Sequence, residues 1–576
     1  MQSNITALST ELKDLIRKYN HKSLLAHLSF HANMHYRNNN RTKTNLQSPI
    51  RQLTYLVSLY HSTGFGGKDF FEAYSDDYEK IVNLLNEIEK QYSIDPEQFK
   101  DTGFDSKEAE KLFISNSTFL NFYLNAPLTY TEQDIEKIRK TFIHFESYII
   151  EECEVTIEDF IAFYTGLCNL ETEQYENYYN HTDEERNLIF KARDTAEKLS
   201  MKEKLNLLEI TDNGIFGLGI PLKKIYSILP EAKIKTLLAI FTLQREENDE
   251  YLYYSDSCPY LLHPLLQMDE EHIVMVFSKQ LINAIYDFLF DLCSKIDSNG
   301  RRVLDQRENY LEVKTASLFK SFFGKKAKIY TNYYLTTQEK DLLVITNNYA
   351  FIIECKANKY RIPFRDPLKA YDRIKDDFKR SIGKGYTQAK EVEDLLSGSQ
   401  PIHIKNHHGK IIDTIYPGKI NEVFSIIVTQ ERFGQIECNL SHLLDIKEDD
   451  NYPWAVAVDD LETFLITLSR KQNHIFGLIS YLTEREKLQG RLFCYDELDL
   501  CALYFMQQKK FLMYCNHVAP LIVSPDMNQF FDELYQIGFG FKDELNLDRK
   551  RQRDATIANR LLKELKLGKP KMIRLD

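Results

Sequence analysis

The run FIIECKA at residues 351–357 constrains this chain most, because it sets a carboxylate and an ammonium two positions apart inside an otherwise apolar strand. Strand periodicity turns Glu354 and Lys356 to one face and Cys355 to the other. Upstream, Asp341 opens a second apolar run, DLLVIT, and Asn347 and Asn348 stand between the two runs as a tight turn. A hairpin built this way brings Asp341 beside Glu354 and Lys356.

Two carboxylates in one place resist joint ionisation unless a positive group joins them. A divalent metal supplies that charge. With neither a histidine nor a cysteine cluster nearby, oxygen ligation favours Mg²⁺, with Mn²⁺ as the alternative, over Zn²⁺. Asp341 and Glu354 are the expected ligands together with the backbone carbonyl of Cys355, whose thiol is expected to fill core. Lys356 is expected to orient the attacking water and stabilise charge on a transferring phosphoryl group.

A helix precedes the strands. Leu311, Thr315, Leu318, Phe319, Phe322 and Phe323 recur at helical spacing, and Gly324 is placed to end the run. Glu312 on this helix is the expected fourth member of the site, with Glu308 one turn earlier as its alternative. Strands are expected at 328–335, 341–346 and 349–357, a basic helical stretch at 367–396, and a further strand at 423–429. This order of helix, three strands, helix and strand predicts an α/β fold, a mixed sheet completed by a crossover helix.

These residues resemble the restriction-endonuclease-like superfamily, the PD-(D/E)xK nucleases, and within it the nuclease-related domain group. The likeness runs over roughly residues 305–430 and rests on Glu312, on QEKDLLVI with Asp341, on FIIECKANK with Glu354 and Lys356, and on GYTQAKEV with Gln388. It implies a restriction-endonuclease-like mixed-sheet core embedded between largely helical regions. It also implies acidic residues that bind metal, a lysine that assists the attacking water, and a glutamine that supports the site or contacts substrate. Lys340 stands where many members carry proline, and the stretch 359–386 is longer than in the smallest members.

The rest of the 576 residues supports that module. Four segments are expected: a helical region at 1–205, a mixed or helical one at 206–300 with a hairpin or wing near 209–221, the nuclease-like domain at 301–470, and a helical region with a basic tail at 471–576. The opening MQSNITALSTELKDLIRKYN lacks the apolar core of a signal peptide, no run reaches about 18 apolar residues, and nine cysteines occur without C-x-x-C spacing. A cytoplasmic, water-soluble protein without membrane association is expected. Asp459, Asp460 and Glu462 are read as helix-opening carboxylates, and His27, His31 and His35 fall on one helical face without the added acidic or cysteine ligand that a metal cluster wants.

A formal charge of -12 excludes a uniformly basic coat. Charge is local instead: residues 356–390 hold eleven Lys or Arg against four Asp or Glu, and 549–574 hold ten against two. Arg361, Arg365, Lys369, Arg373, Lys375, Lys379, Arg380 and Lys384 are candidate phosphate contacts. The expected activity is metal-dependent phosphodiester hydrolysis of DNA, endonucleolytic rather than exonucleolytic. Analogy with the superfamily suggests defence against foreign DNA. RNA is the alternative substrate, and a silent nucleic-acid-binding regulator the non-enzymatic alternative. Without a nucleotide-binding motif, coupling to a protein partner or a homo-oligomer is left open.

Overall fold

The computed structural model describes residues 2–37, 45–64, 67–71, 75–92, 107–124, 129–179, 184–185, 187–188, 200–204, 219–244, 247–248, 250–297, 299–335, 338–359, 361, 364, 366–525 and 527–536. The basic tail at 549–574, Arg365, and all but the end of the hairpin expected near 209–221 lie outside them. The chain divides into two compact units, Met1–Ser93 with Tyr123–Val303, and Ile94–Phe122 with Leu304–Asp576.

The first unit is mainly helical. Helix Asp76–Lys90 shows why: Ser75 accepts a hydrogen bond from the Tyr78 amide, Asp76, Asp77 and Glu79 face the positive end of the helix dipole, and Ile81, Val82, Leu84, Leu85 and Ile88 form a buried stripe. A small antiparallel sheet sets His272–Val274 between Ile220–Pro221 and Leu266–Gln267. His27 is buried and bonded to the Ser23 carbonyl, and His31, half-buried, stacks on Tyr78. No helix among the described residues is long and apolar enough to cross a membrane.

The second unit holds the α/β core. Helix α1 (Arg301–Phe323) leads to strands β1 (Lys328–Tyr334), β2 (Glu339–Thr346) and β3 (Tyr349–Lys356), then to helices α2 (Pro367–Phe378) and α3 (Lys384–Leu396) joined by a π-helical turn at Lys379–Gly383. Strands β4 (Ile402–Lys405), β5 (Ile411–Ile415), β6 (Glu422–Thr429) and β7 (Trp454–Ala457) follow, and helices α4 (Val458–Leu468), α5 (His474–Glu486) and α6 (Glu497–Met506) come after them. The seven strands lie in the order β7-β6-β3-β2-β1-β4-β5. β3, β6 and β7 run parallel, and every other neighbouring pair is antiparallel. This is the expected mixed sheet flanked by helices.

Local chemistry explains the turns. Asn347 and Asn348 both take positive φ, 49° and 66°, which a two-residue hairpin loop matching the sheet twist requires and which asparagine tolerates. Gly324, at φ 66°, ends α1. One face of the sheet buries Leu342, Val344, Phe351, Ile353, Ile426, Val428 and Val456 with Leu311, Leu318, Phe319 and Phe322 of α1 and with α4 to α6. The other buries Leu343, Ala350, Ile352 and Ile427 with Ala370, Ile374 and Phe378 of α2 and Tyr386, Ala389 and Val392 of α3. Ile114, from helix Lys107–Leu124, joins this second cluster.

Asp459 and Asp460 do fall in the first turn of α4, as expected, but their surroundings add to that reading. Asp460 is paired with Arg432, and Glu462 with Lys314 at 2.6 Å, all four side chains being largely buried. They serve as partners for buried cations more than as exposed caps.

Helix α3 approaches β6 through Gly385, where an added Cβ would stand 2.7 Å from Ile427 Cγ2. Gly385→Ala is therefore expected to push α3 off the sheet and to cost about 1–3 kcal/mol, as overpacking does. Urea denaturation of the two proteins measures it.

Candidate active site

The hairpin register carries the site. Leu342 pairs with Ile353, so the next step outward sets Asp341 across from Glu354. Parallel pairing sets Lys356 opposite Thr429 of β6, and the Gln430 amide donates to the Lys356 carbonyl at 3.2 Å. Each side chain is thus held by a strand whose neighbours are hydrogen-bonded on both sides.

Asp341, Glu354 and Lys356 converge. The Lys356 ammonium donates to Glu354 Oε2 at 3.1 Å and to the Cys355 carbonyl at 2.9 Å, and lies 3.5 Å from Asp341 Oδ2. Asp341 Oδ2 also accepts from the Cys355 amide at 2.6 Å, which fixes that carboxylate against the strand edge. The Cys355 thiol packs with the α1 side of the core instead.

Burial sharpens the electrostatics. Glu354 is fully buried, while the Asp341 side chain is 18 % exposed. Burial, then the Asp341 charge, push the Glu354 carboxyl up to about 7, against the lowering effect of Lys356 and Lys340. Burial alone would lower Lys356; the Asp341 and Glu354 charges outweigh it and raise it. The lysine stays charged and is the cation that lets two acidic groups share this space.

Glu312 is half-buried on α1 and takes a long hydrogen bond, 3.4 Å, from the Asn332 amide. Burial and then the Asp341 charge raise its carboxyl. It therefore senses the same centre, whereas Glu308 is exposed. Gln388 reaches the group through its backbone: its carbonyl accepts from the Lys340 ammonium at 3.1 Å, and that ammonium also meets Glu391 at 2.6 Å. Lys340, buried on β2 next to Asp341, ties this strand to α3. In the sequence it stands out only as a departure from proline, because a single buried lysine leaves no periodic signal.

Among the described residues no group of three or more His, Cys, Asp or Glu side chains is gathered to hold a metal ion. The donors present still suit a hard divalent cation, since all are oxygens. Glu354 Oε1, Gln388 Oε1 and Tyr333 Oη are buried and have no hydrogen-bond partner. An unsatisfied buried polar atom costs about 1–3 kcal/mol, and of these the Tyr333 phenol feels both the Glu354 and the Asp341 charge.

The basic stretch divides into two kinds of residue. Arg361 is taken up by Asp376 and Asp377, each at 2.7 Å, and Arg380 by the same pair at 3.1 and 2.7 Å. Lys369, Lys375, Lys379 and Lys384 are exposed, and Arg373 lies over the Phe364 ring at 3.6 Å.

The raised Glu354 carboxyl has a readable consequence. The folded state holds this proton more tightly than the unfolded chain, whose ordinary value is 4.5; the associated stability is complete below 4.5 and is lost as pH rises to about 7. Without divalent cations, urea stability of the protein should fall by up to about 3 kcal/mol between pH 5 and 8. Glu354→Gln should flatten that slope; an equally steep slope in the variant would refute the assignment.

No curated protein and no solved structure matches this chain. Residues 307–429, which contain Glu312, Asp341, Glu354, Lys356 and Gln388, match the family model described as the nuclease-related domain, so that segment is a nuclease-related, restriction-endonuclease-like module.

Proposed function

We propose that this domain hydrolyses phosphodiester bonds of DNA with Mg²⁺ as its cation. The observation that carries the reading is the meeting of Asp341, Glu354 and Lys356 within 3.5 Å at one end of a buried hairpin. Asp341, Glu354 and the Cys355 carbonyl would hold the cation, with Glu312 at their border; when bound it supplies Lewis-acid stabilisation of charge on the phosphoryl group.

The chain's own groups divide the remaining work. The Cys355 amide keeps Asp341 turned to the site, and burial beneath α3 excludes water, which strengthens every charge interaction there. The Lys356 ammonium bridges the two carboxylates, and released from one it can donate from Nζ to the attacking water or to a phosphate oxygen. Gln388, with a free side-chain oxygen, supports the site from α3. Lys369, Arg373, Lys379 and Lys384 are the proposed backbone contacts; Arg361 and Arg380, already neutralised by Asp376 and Asp377, contribute less.

Linear, circular and single-stranded DNA and RNA, each with and without Mg²⁺, provide the test. Mg²⁺-dependent loss of DNA but not RNA is expected, and Lys356→Ala should slow single-turnover cleavage on the order of a hundredfold. Cleavage of RNA alone would reassign the substrate; binding without cleavage of either would mark a silent domain. The Lys379→Ala, Lys384→Ala double variant should weaken binding across unrelated sequences and reduce the salt slope by about 2, with Arg361→Ala altering it less.

A further inference from the structure

We propose that Tyr333 is a positioning residue of this site, its buried phenol hydroxyl meeting the waters around a divalent cation held at Glu354. The inference rests on the nuclease reading and adds a residue to it.

Strand β1 would ordinarily send Tyr330 and Tyr333, three residues apart, to opposite faces. Asn332 prevents this. Its left-handed backbone, φ 46°, interrupts the alternation, and both tyrosines join the cluster beneath α2 and α3. The Asn332 side chain meanwhile reaches Glu312 on α1. Tyr333 pairs with Lys340, the neighbour of Asp341, so it stands one strand from Asp341 and two from Glu354, and its phenol feels both charges.

The two phenols differ in what they meet. Tyr330 donates to Asp413 Oδ2 at 2.6 Å. Tyr333, 1 % exposed, leaves its hydroxyl without any partner, as do Glu354 Oε1 and Gln388 Oε1. Burial, then the Glu354 and Asp341 charges, hold the Tyr333 phenol well above its ordinary value, so it stays neutral. A neutral phenol can donate to a carboxylate and accept from a water at once.

That pairing of abilities matches Mg²⁺, which is usually held through one or two carboxylates and keeps several waters. Each such water is a donor in need of an acceptor. Tyr333 Oη is a buried oxygen without a partner whose phenol feels both the Glu354 and the Asp341 charge, and it can accept from such a water while donating to Glu354.

Full-length protein, Tyr333→Phe and Tyr330→Phe are compared by thermal melting without metal and by Mg²⁺ titration calorimetry. Tyr333→Phe should leave the metal-free melting temperature unchanged or higher, because its hydroxyl has no partner to lose, while weakening Mg²⁺ binding about tenfold, as loss of an outer partner does. Tyr330→Phe should do the reverse, lowering the melting temperature and sparing Mg²⁺ affinity. Equal Mg²⁺ affinity in Tyr333→Phe overturns the proposal, and so does a fall in its metal-free melting temperature alongside affinity, which would mark a structural hydroxyl. A wild-type protein that binds no Mg²⁺ overturns it together with the nuclease reading. One that binds Mg²⁺ and cleaves neither DNA nor RNA removes only the latter, and a lowered affinity in Tyr333→Phe then still upholds this inference.

Discussion

Two carboxylates, Glu354 fully and Asp341 mostly buried, meet at one end of the hairpin, and the Lys356 ammonium between them makes that arrangement tenable. It reaches Glu354 at 3.1 Å and Asp341 at 3.5 Å in surroundings where unpaired charge is expensive. Removing one partner from such a group typically costs 3–5 kcal/mol, because the other charge is left stranded. The surrounding architecture follows from that need. The asparagine turn sets the register that opposes Asp341 to Glu354, β6 closes the other side of β3, and α3 covers the face of β3 that carries Glu354. The same burial makes the site chemically distinctive, since a group near pH 7 in its titration is poised to change partners.

Much of this was legible in the sequence. FIIECKA and DLLVIT predict their strands nearly to the residue, the Asn347–Asn348 turn follows from its need for positive φ, and Gly324 ends α1 where the apolar spacing stops. These are local signals, written in periodicity and turn chemistry. What escaped is nonlocal. Strands β4 and β5 are short, with exposed Ile411 and Ile412, so they carry no clear alternation. Ile114 enters the sheet's core from a helix about two hundred residues upstream in the chain, and no local pattern announces such a partner. Lys340 and Tyr333 look like any polar strand residues until burial and register give them neighbours.

The basic stretch shows a related limit. Eleven cations against four acids counts residues, while binding depends on which cations are already satisfied. Asp376 and Asp377 sit one turn from Arg380 and close onto Arg361 as well, so two of the apparent phosphate contacts are spent in holding the segment after β3 against α2. Exposed lysines remain, and Lys suits a contact that must follow a phosphate backbone as a point charge without the fixed fork of Arg. A net charge of -12 does not oppose this, because fields at physiological salt decay over about 8 Å.

Helix α3 is where these requirements meet. Lys384 is its first residue, Gly385 lets it lie against Ile427 of β6, and Gln388 follows one turn later with its carbonyl on Lys340. Five residues thus join a proposed backbone contact, a close approach of helix to sheet, and a carbonyl tied to the lysine next to Asp341. The π-helical turn at Lys379–Gly383 precedes them and inserts one extra residue into the helix. An α-helical continuation from α2 would rotate Lys384 and Gln388 by roughly 100° relative to α2, parting Gln388 from the hairpin and Gly385 from the sheet. The irregular turn is therefore what lets one continuous stretch pack Ile374 and Phe378 from α2 on the same face as Tyr386 and Ala389 from α3, and it makes the placement of Gln388 depend on backbone geometry that side-chain periodicity alone does not reveal.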